Sequence, residues 1–274
     1  MFVIYNVYIE KKIDIQEEIL MLIDSHAHLH LENFKRDRDR LVKDLRGEGI
    51  ESVITSGSSM KSSKEAMKLA RKYENIYATV GVHPCCTDEM DENSIDELRE
   101  LSKDKNVIAI GEIGLDYHHM DVPIEIQKKW FKRQIELAKE LGLPIVVHDR
   151  KANQDTFDII SEHMDERLRG VIHCYSGDVE LARKYVEMGF YISIAGPVTY
   201  KSATKLKEVA KEIPLKYLFV ETDAPCLTPG PAGRRRNEPL FVTYVAVEVA
   251  DIKGIKLDMV EKVTTNNVKK LYGI

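Results

Sequence analysis

No apolar run in this chain approaches the ~20 residues a membrane-spanning helix needs, which excludes that class. Cysteine is scarce, with 4 in 274 residues and no CxxC pair. That excludes a zinc ribbon and a dithiol redox motif, and it points to free thiols in a reducing cytoplasm. A basic excess is missing too. The 40 Lys and Arg face 45 Asp and Glu, a formal charge of −5, which argues against a broad basic surface for gripping nucleic acid. Repeats, low-complexity tracts and Gly/Ser linkers are absent, so one domain is expected. Residues 1–20 lack the apolar core of a secretory signal: Met1-Phe2-Val3-Ile4 is soon followed by Glu10-Lys11-Lys12 and Glu17-Glu18. Regular patterning starts at Met21. It leaves 1–20 as an extension, either an added element or the product of an upstream start. The 43% hydrophobic and 31% charged content is that of a soluble globular chain.

What the chain does have is alternation. Short apolar, β-branched runs predict strands at 21–25, 51–56, 76–81, 107–112, 144–148, 170–174, 190–195 and 217–222. Amphipathic stretches between them predict helices at 35–47, 59–73, 93–103, 124–141, 153–166, 178–188, 200–211 and 239–250, with a last one near 257–271. Phe131, Ile135, Ala138 and Leu141, for instance, fall on one helical face. Gly142 and Gly189 stand where a left-handed C′ residue is wanted. Eight βα units most simply close into an α/β barrel, the (β/α)8 or TIM fold, spanning 21–274 as a single domain. An open doubly wound sheet competes, but its one crevice does not readily gather many strand ends.

Five of the predicted strands stop at imidazoles or carboxylates: His26 and His28, Glu112, His148, His173, and Asp223. In a barrel these ends share the catalytic face. Taken singly, each has an ordinary explanation. His26-Ala27-His28 is a weak pattern, although alternate residues of an extended segment point the same way. His148 and His173 would each ordinarily be hydrogen-bonded histidines, and Asp223 a turn former. Glu112 is harder to dismiss, because burying an unpaired carboxylate costs roughly several kcal/mol and nearby strands offer no Lys or Arg. Together the six form a donor set for zinc, manganese or magnesium that can activate water. His83, before Pro84, ends the third strand and is a substrate-facing candidate. Arg234-Arg235-Arg236 is either a solvated loop or an anion site beside the mouth. His30, His118, His119 and His163 are given no role.

Seven stretches in order resemble the TatD family of metal-dependent nucleases, within the amidohydrolase-like barrels. They are Asp24-Ser25-His26-Ala27-His28-Leu29, Gly81-Val82-His83-Pro84, Gly111-Glu112-Ile113-Gly114-Leu115-Asp116-Tyr117, His148-Asp149-Arg150, His173-Cys174-Tyr175-Ser176-Gly177, Glu221-Thr222-Asp223-Ala224-Pro225 and Arg236-Asn237-Glu238-Pro239. The resemblance implies a cytoplasmic (β/α)8 barrel with two divalent ions that trims DNA from the 3′ end with magnesium. It implies one ion held by His26, His28, Glu112 and Asp223, and a second by Glu112, His148 and His173, with Glu112 bridging. It also implies that His83, Arg150 and Arg236 face substrate phosphate. Residues 1–20 precede the family's usual start, and Cys85 and His30 stand where members often carry other residues.

The expected chemistry is in-line attack of an activated water on phosphorus, with Glu112 and Asp223 as the catalytic carboxylates and Asp223 taking the proton. Arginine forks match phosphate geometry. A nucleic-acid strand end is the expected substrate. The rivals are a hydrolase of another ester or amide on the same site, such as an aminoacyl-tRNA deacylase, and a metal-stabilised binding protein without catalysis.

Overall fold

The computed structural model describes residues 21–274, so the expected extension at 1–20 lies outside the described residues. Eight apolar runs form β1 (Leu22–Ala27), β2 (Ile50–Ser56), β3 (Ile76–Val80), β4 (Val107–Asp116), β5 (Ile145–Arg150), β6 (Gly170–Ile172), β7 (Tyr191–Ile194) and β8 (Leu218–Val220). Each pairs in parallel with the next, in chain order. A bridge between Ala27 and Ala224 joins the first strand to the last. The fold is the expected single-domain (β/α)8 barrel.

The helices are α1 (Arg38–Asp44), α2 (Met60–Lys72), α3 (Glu92–Leu101), α4 (Ile124–Leu141), α5 (Asn153–His163), α6 (Val179–Glu187), α7 (Thr204–Glu212), α8 (Val242–Lys253) and α9 (Leu257–Tyr272). Local chemistry sets several ends. Ser59 and Asp178 cap α2 and α6 by accepting from Ser62 N and Leu181 N, and Asp91 with Ser94 forms a capping box on α3. Gly142 and Gly189 take left-handed φ values of 65° and 84°, as their positions demand. None of the described helices is long and apolar enough to cross a membrane.

Two apolar layers hold the barrel. The larger packs strands against helices and includes Ile50, Val80, Ile110, Phe131 and Ile192. The smaller takes Ile23, Ile54, Ile108, Val146, Val171, Tyr191 and Phe219 from the strands and Val268, Leu271 and Tyr272 from α9. Its strand members precede the polar residues on the same strands: Ile23 before His26, Ile108 before Glu112, Val146 before His148. The apolar plug thus lies beneath a polar mouth.

Several boundaries differ from expectation. β6 and β8 stop before His173 and Asp223 rather than including their neighbourhoods, because Cys174 and Asp223 adopt φ values of 43° and 57°. Left-handed backbone leaves a ladder and turns the side chain out of the strand's alternation. β4 instead runs on to Asp116. It can do so because Gly114, at φ 145°, lies against the β5 backbone, where a Cβ would come within 2.0 Å of the His148 carbonyl oxygen. The predicted helix at 239–250 begins only at Val242, after a short 3-10 turn (Pro239–Phe241).

Candidate metal centre

Ser56, the last residue of β2, orients both histidines of β1. Its carbonyl oxygen lies 2.8 Å from His28 Nδ1, and its Oγ lies 3.2 Å from His26 Nδ1. A carbonyl only accepts, so His28 Nδ1 carries the hydrogen. In a neutral ring this leaves Nε2 as a bare lone pair. That Nε2 faces Asp223 Oδ1 at 3.3 Å and Glu112 Oε2 at 3.6 Å. His26 Nε2 faces the same two oxygens, at 3.8 Å and 3.5 Å. Asp223 reaches them because β8 is tied to β1: Asp223 N donates to His26 O at 2.9 Å, and Asp24 accepts from Thr222 N and Oγ1.

The other oxygen of Glu112 serves the neighbouring strand ends. Oε1 lies 2.8 Å from His148 Nδ1 and 2.9 Å from His173 Nε2. Each of these rings is held from behind by a carboxylate. Asp116 Oδ2 is 3.2 Å from His148 Nε2, and Glu221 Oε1 is 3.3 Å from His173 Nδ1. Glu221 also accepts from Cys174 N at 2.7 Å and Ser193 Oγ at 2.5 Å. Such carboxylate–imidazole pairs fix ring orientation and raise ligand basicity. Both carboxylates lie inside the quoted motifs, yet neither drew a role from the sequence. A strict alternation, which would have shown which of Glu221 and Asp223 turns inward, fails at the left-handed Asp223.

The electrostatics match a cation-binding pocket. Burial pushes Glu112 up, but His173, His148 and His26 outweigh it and hold the carboxyl well below its usual range. Burial also pushes Asp223 up; His28 and His26 bring it down. His173 sits well above an ordinary imidazole, because Glu112 and Glu221 overcome its burial. The donor set fits divalent cations. Lone pairs of His28 and carboxylate oxygens confront one another, and His26 Nε2 is buried with no hydrogen-bond partner. A cation between such groups satisfies all of them at once. His26, His28 and Asp223 form one convergent group, and Glu112, His148 and His173 another.

These groups floor a cavity of about 990 Å³, lined by His28, His83, Glu112, His148, His173 and Asp223 and rimmed by Arg150, Lys151 and Lys205. Arg150, Lys151 and Lys205 are exposed at its edge. Sequence patterning gave no hint of Lys151 or Lys205. His83 packs edge-on against His148, 4.2 Å between ring centres, with Nε2 3.7 Å from Glu112 Oε1. Burial, then His148, pushes it down to about 3, so it is neutral. Arg236 stands apart from the lining. Its guanidinium forks onto Asp37 at 2.7 and 3.0 Å, donates to Asn33 O and covers the Phe34 ring. His30 is buried between Thr55 Oγ1 and Ser62 Oγ, and His163 Nδ1 pairs with its own helix at Ile159 O. Among the described residues, the expected ligands therefore converge, His83 and Arg150 border the cavity, and Arg236 is held by Asp37.

An α/β barrel that gathers imidazoles and carboxylates at the C-terminal ends of its strands is built as a metal-dependent hydrolase. The chain belongs to the TatD family: the family described as TatD related DNase matches residues 23–273. The metal-dependent hydrolase YabD of Bacillus subtilis (strain 168) is 42% identical over 254 residues, covering 93% of this chain and 100% of that one. The 3′-5′ ssDNA/RNA exonuclease TatD of Escherichia fergusonii is 32% identical over 259 residues, covering 92% and 99%. The crystal structure of YJJV, a TatD homologue from Escherichia coli K12, superposes with a TM-score of 0.88 at 27% identity, covering 94% of this chain and 100% of that one. The family expected from the seven motifs is the one found, and the protein is an ester-cleaving, metal-dependent hydrolase of that family.

Proposed function

We propose that this enzyme hydrolyses nucleic-acid phosphodiester bonds with two divalent cations, removing nucleotides from the 3′ ends of single strands. The observation that carries the reading is the divided carboxylate of Glu112, whose Oε2 faces His26 and His28 while Oε1 faces His148 and His173. One residue thus belongs to two ligand sets: His26, His28, Glu112 and Asp223, and Glu112, His148 and His173. Magnesium, manganese or zinc suits such donors. Bound there, the cations supply positive charge against the scissile phosphate and acidify water.

The chain's own residues do the rest. Asp223 is ionised at neutral pH and partly open to the cavity, and it takes the proton of the attacking water. Neutral His83 offers a hydrogen bond to a phosphate oxygen beside Glu112. Arg150, with Lys151 and Lys205 on the rim, binds the phosphates that follow. Arg236 joins them only when a phosphate displaces Asp37 from its fork. The name of the Escherichia fergusonii relative supports the direction of digestion and the choice of single strands. Rim cations in a small group suit a strand end better than a duplex gripped along its length. The free cysteines suit a cytoplasmic enzyme.

The test is a digestion of 5′-labelled single-stranded DNA and RNA, a closed single-stranded circle and acylated tRNA by metal-loaded protein. A descending ladder from the linear strands, stopped by a chelator, with the circle intact, is the expected result. Rapid cutting of the circle overturns the exonuclease reading. Release of the amino acid from tRNA with intact linear strands overturns the nuclease reading.

A further inference from the structure

Beside the metal centre, and outside both of its ligand sets, Cys85, Asp116 and His119 bring a thiol, a carboxylate and an imidazole within 4.8 Å of one another. Cys85 lies on the 3-10 turn after β3 (Pro84–Glu89), where its N–H donates to His83 Nδ1 at 3.2 Å. Asp116 ends β4. The following loop folds around it, since Asp116 Oδ1 accepts from both His118 N and His119 N at 2.8 Å. That turn carries the His119 ring back, with Nδ1 3.0 Å from Asp116 Oδ2. Cys85 Sγ reaches the same loop, 3.9 Å from His119 O. The His119 side chain is 50% exposed and Asp116 is buried, so the cluster opens to solvent on one side only. It is built from three segments, and its geometry does not depend on the identity of the substrate.

Sulfur sets this cluster apart. The centre around Glu112 offers only nitrogen and oxygen donors, which suit magnesium and manganese. A thiolate with an imidazole and a carboxylate suits zinc and its congeners, with a fourth position left to water. A second feature gives the cluster a consequence. Asp116 Oδ2, the oxygen nearest His119, is also the oxygen 3.2 Å from His148 Nε2. His148 presents Nδ1 to Glu112 through that support. We propose that Cys85, Asp116 and His119 form a separate site for a thiophilic divalent cation of the zinc class, and that filling it draws Asp116 away from His148 and lowers activity. The thiol proton leaves to solvent as the cation binds.

Cadmium is the probe, because its thiolate complexes absorb in the ultraviolet. The full chain, saturated with magnesium, is titrated with cadmium while the thiolate charge-transfer band and bound metal are followed. Expected are a band that saturates at a single equivalent, its loss in Cys85→Ser, and about tenfold weaker binding in His119→Ala. Cys86→Ser and Cys226→Ser should keep the band, and melting curves of all variants should match the parent. Zinc added to the magnesium enzyme should inhibit the parent and spare Cys85→Ser, whose activity in magnesium alone is unchanged. No band in the parent, or an undiminished band in Cys85→Ser, overturns the site. A band that behaves as expected with equal zinc inhibition in both proteins overturns the link to His148 alone. A protein inactive on every substrate would leave the band, and so this test, untouched.

Discussion

Replacing Glu221 by Gln tests how a buried carboxylate prepares a ligand it does not replace. Glu221 is 1% exposed and accepts from Cys174 N, Ser193 Oγ and His173 Nδ1. Gln keeps one acceptor oxygen for Cys174 N, and its amide can donate to a rotated Ser193 hydroxyl. What disappears is the charged acceptor behind His173. A hydrogen bond to a charged group contributes about 1.5–3 kcal/mol and a neutral one about 1. The difference, about 1–2 kcal/mol, corresponds to roughly 5–30-fold, within the range seen when a carboxylate behind a metal-binding histidine is removed. Glu221→Gln should therefore bind metal about tenfold more weakly and turn over about tenfold more slowly, with a near-normal melting temperature. Glu221→Ala should behave differently. It strands the Cys174 N–H and the Ser193 hydroxyl, at about 1–3 kcal/mol each, and it releases the backbone that holds Cys174 at φ 43°. A loss of about 3–5 kcal/mol in unfolding free energy is expected. Metal titration by calorimetry and urea melts measure the two effects separately. Undiminished metal affinity in Glu221→Gln would refute the idea that this carboxylate orients His173.

Four further outcomes follow from the geometry. Glu112→Gln should cost more activity than His173→Ala, because its oxygens face both ligand sets; metal titration showing full occupancy and activity in Glu112→Gln would remove the bridging role. Arg236→Ala should raise KM for single-stranded DNA with metal content unchanged, while the exposed Arg234→Ala does little; equal, negligible effects in steady-state kinetics would return the loop to solvent. Asp37 is held below its ordinary range chiefly by the Arg236 hydrogen bond. Its depressed folded-state pKa gives stability that is full above the unfolded value near 3.9 and lost as pH falls through the folded one. Urea melts between about pH 5 and about pH 3 should show this acid loss in the parent, and Arg236→Ala should reduce it. Gly114→Ala should destabilise by at least ~3 kcal/mol in chemical denaturation, because its Cβ would meet the His148 carbonyl oxygen at 2.0 Å in a backbone region only glycine tolerates.

The sequence carried the barrel because its evidence is local. β-branched runs, helical faces and glycines at C′ positions each depend on a few neighbouring residues, and all eight strands fall where such runs stand. The convergence of His26, His28, Glu112, His148, His173 and Asp223 was legible for a related reason. Each breaks an apolar strand at its end, and the fold brings those ends together. What stayed hidden is long-range. Arg236 is claimed by Asp37, 199 residues away, and no spacing rule finds such a pair. Lys205 reaches the cavity from the start of α7, which is visible only once β7 and β8 are placed. Glu221 and Asp116 were quoted within motifs yet unassigned, since a positive φ at Asp223 and a prolonged β4 redirect side chains that alternation would have placed otherwise.

The seam of the barrel has a bearing on how the protein is made. β1 and β8 meet through Asp24 and Thr222, which lie 198 residues apart, and the same seam holds His26, His28 and Asp223. A ribosome therefore delivers the first two of these early and the third only near the end of synthesis. A nascent or truncated chain lacking β8 has half of that ligand set and no closed mouth, so it carries none of the hydrolytic power of the finished molecule. In a cell crowded with messenger and chromosome, this arrangement keeps the enzyme harmless until translation is nearly over.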